Sequence, residues 1–85
     1  MSAQTLETLS QRVIELAADQ VDIPIEDITP DSQFIADLGF DSLDHVEFVM
    51  TIEEAFDVTV HDEDAEKIKT VRDAVGLIQT LMSSS

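Results

Sequence analysis

Apolar residues recur at helical spacing in separate segments of this 85-residue chain, and this periodicity decides the fold class. In segment 5–19 they share an arc of about 100° when successive residues are placed about 100° apart. These residues are Leu6, Leu9, Val13, Leu16 and Ala17. Segment 71–82 gathers six apolar residues within an arc of about 120°: Val71, Ala74, Val75, Ile78, Leu81 and Met82. Both segments therefore predict amphipathic helices that share one core.

Segment 42–56 also has helical spacing, but it carries apolar residues on two sides. One side predicts a core-facing stripe formed by Phe48, Val49, Ile52, Ala55 and Phe56. The other side holds Leu43, Val46 and Met50, interleaved with Glu47, Glu53 and Glu54. Because the first stripe already serves the core, we expect the second to form a docking face on the surface. The alternative is three scattered apolar residues, which are common on protein surfaces.

The remaining segments complete an all-α fold. Residues 20–41 interrupt the periodicity with Pro24 and Pro30 and predict a long loop that packs down through its apolar residues. Thr70 and Asp73 predict a capping box at the start of the last helix. The alternation in 58–60 resembles a strand but has no second strand to pair with. We predict a small four-helix bundle, a single domain over 1–85, with helices at about 5–19, 42–56, 62–67 and 71–82.

Charge restricts the possible partners. Nineteen carboxylates and four basic residues give a net charge of −15, and no Lys or Arg lies between Arg12 and Lys67. Such a chain repels nucleic-acid backbones and anionic membrane surfaces, so we expect partners with basic faces. The longest apolar run has three residues, too few for membrane insertion. Without a signal peptide at the N-terminus we expect a cytoplasmic protein, or an organellar one if a transit peptide was removed. We also expect it to be a monomer.

Ser42 lies where the long loop meets the second helix. On position alone it predicts an N-cap, and Asp41 and Asp44 are also suited to accept from the first amide groups. A hydrolase is not indicated, because no Gly-x-Ser-x-Gly elbow is present and nothing orients His45 or His61 as a base. The chain has no Cys and no calcium-loop spacing, so we expect no dedicated metal site.

The stretch Asp37-Leu-Gly-Phe-Asp-Ser42-Leu-Asp-His-Val-Glu47 resembles the attachment motif of acyl carrier proteins. Residues 48–57 and 62–71 are similar to the rest of that family's second helix, its short third helix and the start of its fourth. The resemblance implies that a phosphopantetheinyl transferase attaches 4′-phosphopantetheine to Ser42, flanked by Asp41 and Leu43. The thiol of that group carries acyl chains as thioesters, and the carrier itself is not an enzyme.

The resemblance also assigns docking and acyl-binding positions. Docking to basic faces of fatty-acid synthase enzymes and acyltransferases is implied for Asp41, Leu43, Asp44, Val46, Glu47, Met50, Glu53, Glu54 and Glu66. An acyl cavity is implied for Phe34, Phe48, Val49, Ile52, Val60, Ala65, Ile68 and Ala74. The acidity favours a fatty-acid carrier over a specialised lipid or polyketide carrier. Two further alternatives are an unmodified acidic interaction module, in which Ser42 is only a cap, and a divalent-ion buffer.

Overall fold

A computed structural model describes residues 6–83, and within them the regular structure is helical, which confirms the predicted all-α bundle. One antiparallel bridge, between Gln33 and Thr70, is the exception. The elements in chain order are α1 (Leu6–Val21), a one-turn 3₁₀ helix (Ile25–Asp27), α2 (Ser42–Phe56), α3 (Asp62–Glu66) and α4 (Val71–Ser83).

The predicted helix boundaries need small corrections. α1 continues to Val21 instead of ending at residue 19, and it stops where Asp22 takes a left-handed conformation with φ of 59°. Its predicted start at Thr5 lies outside the described residues. α3 ends one residue early, because Lys67 already forms its C-terminal cap. α4 extends one residue further than predicted, to Ser83.

The core lies between α1, α2 and α4, with α1 packed against both of the others. Its largest fully buried side chains come from all three helices and from the long loop: Phe34, Phe48, Ile52, Ile78, Val13 and Val71. The predicted core-facing stripe of α2 is wrong at one residue, because Ala55 is exposed. Phe56, which also belongs to the predicted stripe, is partly buried and packs against the core as predicted.

The long loop is fastened to the connection between α3 and α4. Phe34 donates its backbone N–H to the Lys69 carbonyl at 3.0 Å, and the Val71 N–H donates to the Ser32 carbonyl at 3.1 Å. The predicted capping box of α4 is formed, because Thr70 and Asp73 exchange hydrogen bonds of 3.1 Å. These contacts hold the loop against the body of the bundle on the side where α2 begins.

Candidate functional site

Ser42 is the first residue of α2, and its side chain is exposed. The residue before it forms the cap: the Asp41 carboxylate accepts from the Asp44 N–H at 2.8 Å, and the Asp44 carboxylate accepts from the Asp41 N–H at 3.2 Å. The interpretation of Ser42 as a cap is therefore wrong, because Asp41 already accepts from this turn. Within residues 8–83 the Ser42 hydroxyl has no hydrogen-bond partner.

The chain approaches Ser42 through a tight and well-anchored turn. The Phe40 N–H donates to the Phe34 carbonyl at 2.9 Å, and Gly39 between them has φ of +77°, a left-handed value that glycine adopts without strain. Phe40 is itself buried, two residues before Ser42. A buried aromatic anchor on one side and a capped helix on the other hold the backbone at Ser42 in place.

A pocket of about 440 Å³ opens beside Ser42. It lies between α2, the long loop and the connection from α3 to α4, and its lining consists of Gln33, Phe34, Ile35, Ala36, Ser42, His45, Val46, Glu66, Ile68 and Lys69. His45 closes one wall, with its Nε2 atom 3.0 Å from the Ile68 carbonyl oxygen. Since a carbonyl only accepts, this ring nitrogen carries the proton.

Three buried phenylalanines pack together near the site, and one of them, Phe34, lines the pocket. The ring centroids of Phe34 lie 5.2 Å from Phe40 and 5.0 Å from Phe48, and those of Phe40 and Phe48 are 5.5 Å apart. All three side chains are buried. The three rings therefore form one aromatic cluster in the core, and this cluster reaches the pocket through Phe34.

The predicted acyl-cavity residues divide into two groups. Phe34 and Ile68 line the pocket beside Ser42. The others do not line it: Phe48, Val49, Ile52, Val60 and Ala74 are buried elsewhere in the protein, and Ala65 is half-buried.

The predicted docking face is largely on the surface of α2. The apolar residues Leu43, Val46 and Met50 are 64%, 54% and 55% exposed. The exposed carboxylates of the predicted set are Asp41, Glu47, Glu54 and Glu66. Apolar and acidic side chains thus share one accessible surface next to Ser42.

Two of the predicted docking carboxylates have structural roles instead of full exposure. Asp44 belongs to the capping box and is half-buried. Glu53 is also half-buried, and its Oε2 atom accepts from the Val60 N–H at 2.8 Å. This bond ties α2 to the segment before α3, a contact that helical spacing gives no means to predict.

Sequence reasoning missed several residues that border the site. Ile35 is 65% exposed and lines the pocket together with Val46 of α2. Gln33 and Lys69 line it as well. Ile35 stands in a loop with no periodicity to indicate a face, and Lys69 is brought near Ser42 by tertiary hydrogen bonds.

Residues 11–78 match the protein family described as phosphopantetheine attachment site. The chain belongs to this family. It is a phosphopantetheine carrier, and its cofactor is 4′-phosphopantetheine, which the family holds covalently. Carrier domains of this kind are not themselves catalytic and interact with a phosphopantetheinyl transferase and with synthase enzymes. An exposed hydroxyl without a partner, beside a pocket with apolar walls, fits an attached arm of this kind.

The described part of the carrier contains neither a membrane-spanning helix nor a metal-binding cluster. No helix within residues 6–83 is long and apolar enough to cross a membrane. In the same residues, no three or more His, Asp or Glu side chains are grouped so that they could hold a metal ion.

Proposed function

We propose that Ser42 carries the 4′-phosphopantetheine and that the protein delivers acyl intermediates to the enzymes of fatty-acid synthesis. The observation that carries this proposal is the accessible Ser42 hydroxyl, which no other group of the described chain uses. When bound, the prosthetic group supplies a thiol, which this chain of 85 residues lacks because it contains no Cys.

In the attachment reaction the carrier supplies the nucleophile, and the transferase supplies the base. The Ser42 oxygen forms a new bond to the phosphorus next to the pantetheine part of coenzyme A, and the pyrophosphate bond of coenzyme A breaks. The nucleotide part leaves, and the hydroxyl proton goes to a base that the transferase provides. The carrier contributes an exposed nucleophile at a fixed position, and the capping box supports that position without involving the hydroxyl.

We propose that partners dock on the exposed face of α2. Leu43, Val46 and Met50 supply apolar contact area, and the carboxylates around them attract a basic partner. An exposed ion pair contributes less than about 1 kcal/mol, so several such pairs produce fast and weak encounters that depend on salt. A shuttle needs this combination, because tight binding would delay delivery to the next enzyme.

We propose that the pocket beside Ser42 shelters the thioester end of the cargo. Phe34 and Ile68 supply apolar walls there. Phe40 and Phe48 do not line the pocket; their buried rings contact each other, and the ring of Phe48 also contacts Phe34.

The fatty-acid pathway is supported by the acidity of the chain and by the residues Leu43 and Asp44 that follow Ser42. We propose a cytoplasmic monomer as the working form.

Intact-mass spectrometry tests the attachment. The protein and its Ser42→Ala variant are incubated with coenzyme A and a broad-specificity phosphopantetheinyl transferase, with a known carrier as a positive control. We expect one added phosphopantetheine on the wild-type chain and none on the variant. An unmodified wild-type chain, folded by circular dichroism while the control carrier is loaded, would instead indicate an acidic interaction module.

A further inference from the structure

Lys69 is a basic residue on the pocket wall beside Ser42, in a chain whose net charge is −15. Its side chain is exposed, and within the described residues no carboxylate lies within ion-pair distance of its ammonium group. Arg72, three residues later, differs in this respect, because it pairs with Asp31 at 3.1 Å. An unpaired cation in so acidic a protein has an electrostatic reason to attract an anion.

The fold holds the backbone of Lys69 close to the face of α2 that bears Ser42. The Lys69 carbonyl accepts from the Phe34 N–H at 3.0 Å, and its own N–H donates to the Asp73 carboxylate at 3.1 Å. The preceding residue, Ile68, accepts from His45 at 3.0 Å. His45 follows Ser42 by three residues, so both lie on one face of the helix. The bonds of Lys69 involve only its backbone, so its side chain stays free at the pocket wall.

An arm attached to Ser42 brings a negative charge to this position. The phosphodiester that joins it to the serine oxygen is ionised at neutral pH, and it would lie next to the Asp41 and Asp44 carboxylates, with Glu66 on the pocket wall. Repulsion from these three groups would drive the arm away from the protein. Among the residues that line the pocket, Lys69 is the one that carries a full positive charge.

We propose that the Lys69 ammonium group binds the phosphodiester of the arm attached to Ser42. This rests on the proposed attachment at Ser42. The ion pair would hold the first part of the arm against the pocket, and Ile35 and Val46, which line it, would supply apolar contacts for the two methyl groups of the arm. Lys69 is thus a positioning residue for the prosthetic group, and it acts only after loading, because tethering supplies the anion at a high effective concentration.

NMR spectroscopy of the loaded protein tests this binding, and Lys67 provides the matched control. Lys67 is exposed and lies two residues away, but it lines a different surface, with Asp64 and Gly76. The lysine side chains are labelled by reductive ¹³C-methylation, which keeps their charge, and are recorded before and after loading. We expect the Lys69 signal to shift on loading and the Lys67 signal to stay. Equimolar inorganic phosphate added to the unloaded protein should shift neither signal.

A second measurement follows the arm itself in the variants Lys69→Gln and Lys67→Gln, which remove the same charge. We expect nuclear Overhauser effects between the arm's methyl groups and Ile35 to fall about two- to fivefold in Lys69→Gln, the range for a surface ion pair, and to persist in Lys67→Gln. Equal losses in both variants, or a Lys69 signal that ignores loading or follows free phosphate, would overturn the inference. Failure of loading is seen separately by mass and would overturn the proposed attachment instead.

Discussion

Asp41 and Ser42 are neighbours with separate tasks. Both are residue types that favour the N-cap position, and in this protein the aspartate takes it. The serine is then the first helical residue, where its side chain is exposed and has no part in closing the turn. Structural support and chemical availability therefore reside in adjacent side chains, so each can be removed with little effect on the other.

Urea denaturation of two single variants tests this separation. Asp41→Ala removes the carboxylate that accepts from the Asp44 N–H, and we expect the free energy of unfolding to fall by about 1 kcal/mol, the usual effect of losing an N-cap. Ser42→Ala removes no hydrogen bond within the described chain, so its unfolding free energy should stay within about 0.5 kcal/mol of wild type. A larger loss in Ser42→Ala than in Asp41→Ala would contradict the assignment of the cap.

The sequence predicts which residues lie at the candidate site, but it does not predict the hydrogen bonds that these residues form. Ser42 and the exposed residues of α2 follow from the motif and from helical spacing. The hydrogen bonds of Glu53 and Lys69 do not follow from the sequence, because folding brings their partners near. The Glu53 carboxylate accepts from the Val60 N–H, and the Lys69 carbonyl accepts from the Phe34 N–H. No local pattern indicates these partners, since they lie 7 and 35 residues away.

At the scale of elements, α2 combines three functions in fifteen residues. Its first turn presents Ser42, its buried face contributes Phe48 and Ile52 to the core, and its outer face carries the proposed docking residues. The helices follow from apolar periodicity, so their positions are predictable to within two residues. The path of the long loop cannot be predicted from this periodicity, because the hydrogen bonds that hold it connect Phe34 and Ser32 to residues after α3.

Charge reversal on the outer face of α2 tests its role in docking. In the double variant Glu47→Lys with Glu54→Lys, we expect kcat/KM for loading by the transferase to fall about tenfold at low salt, because attractive surface pairs become repulsive. The fold should persist, since both side chains are exposed and the one hydrogen bond lost, from Gln20 Nε2 to the Glu47 carboxylate at 3.0 Å, lies on the surface. The measurement is the rate of loading, followed by mass as a function of carrier concentration.

A matched control separates this face from net charge. Glu15→Lys with Asp19→Lys makes the same change in charge on exposed positions of α1, on the side opposite buried Val13 and Ala17. This variant should load at close to the wild-type rate. Equal slowing in the two double variants would mean that overall charge attracts the partner, and the docking face on α2 would then have no support.

For the whole molecule, the same charge that attracts partners opposes folding. Seventeen of the nineteen carboxylates lie between Glu15 and Glu66 without a basic residue among them, so repulsion accumulates within one part of the bundle. Within the described residues the one ion pair, between Arg72 and Asp31, joins two exposed side chains and offsets little of it. Apolar packing around Phe34, Phe48 and Ile52 must therefore stabilise the fold against the repulsion between carboxylates.

Salt should therefore move stability and docking in opposite directions. Raising NaCl from about 10 mM to about 150 mM shortens the Debye length from about 30 Å to about 8 Å, so carboxylate repulsion weakens and the urea midpoint of unfolding should rise. The transferase loading rate should fall over the same range. The α2 double variant, with a net charge of −11 because each Glu→Lys change adds two positive charges to −15, should show a shallower rise in its midpoint. MgCl₂ at matched ionic strength should act like NaCl, whereas a sharp additional rise at micromolar Mg²⁺ would indicate a defined ion site and favour the divalent-ion buffer.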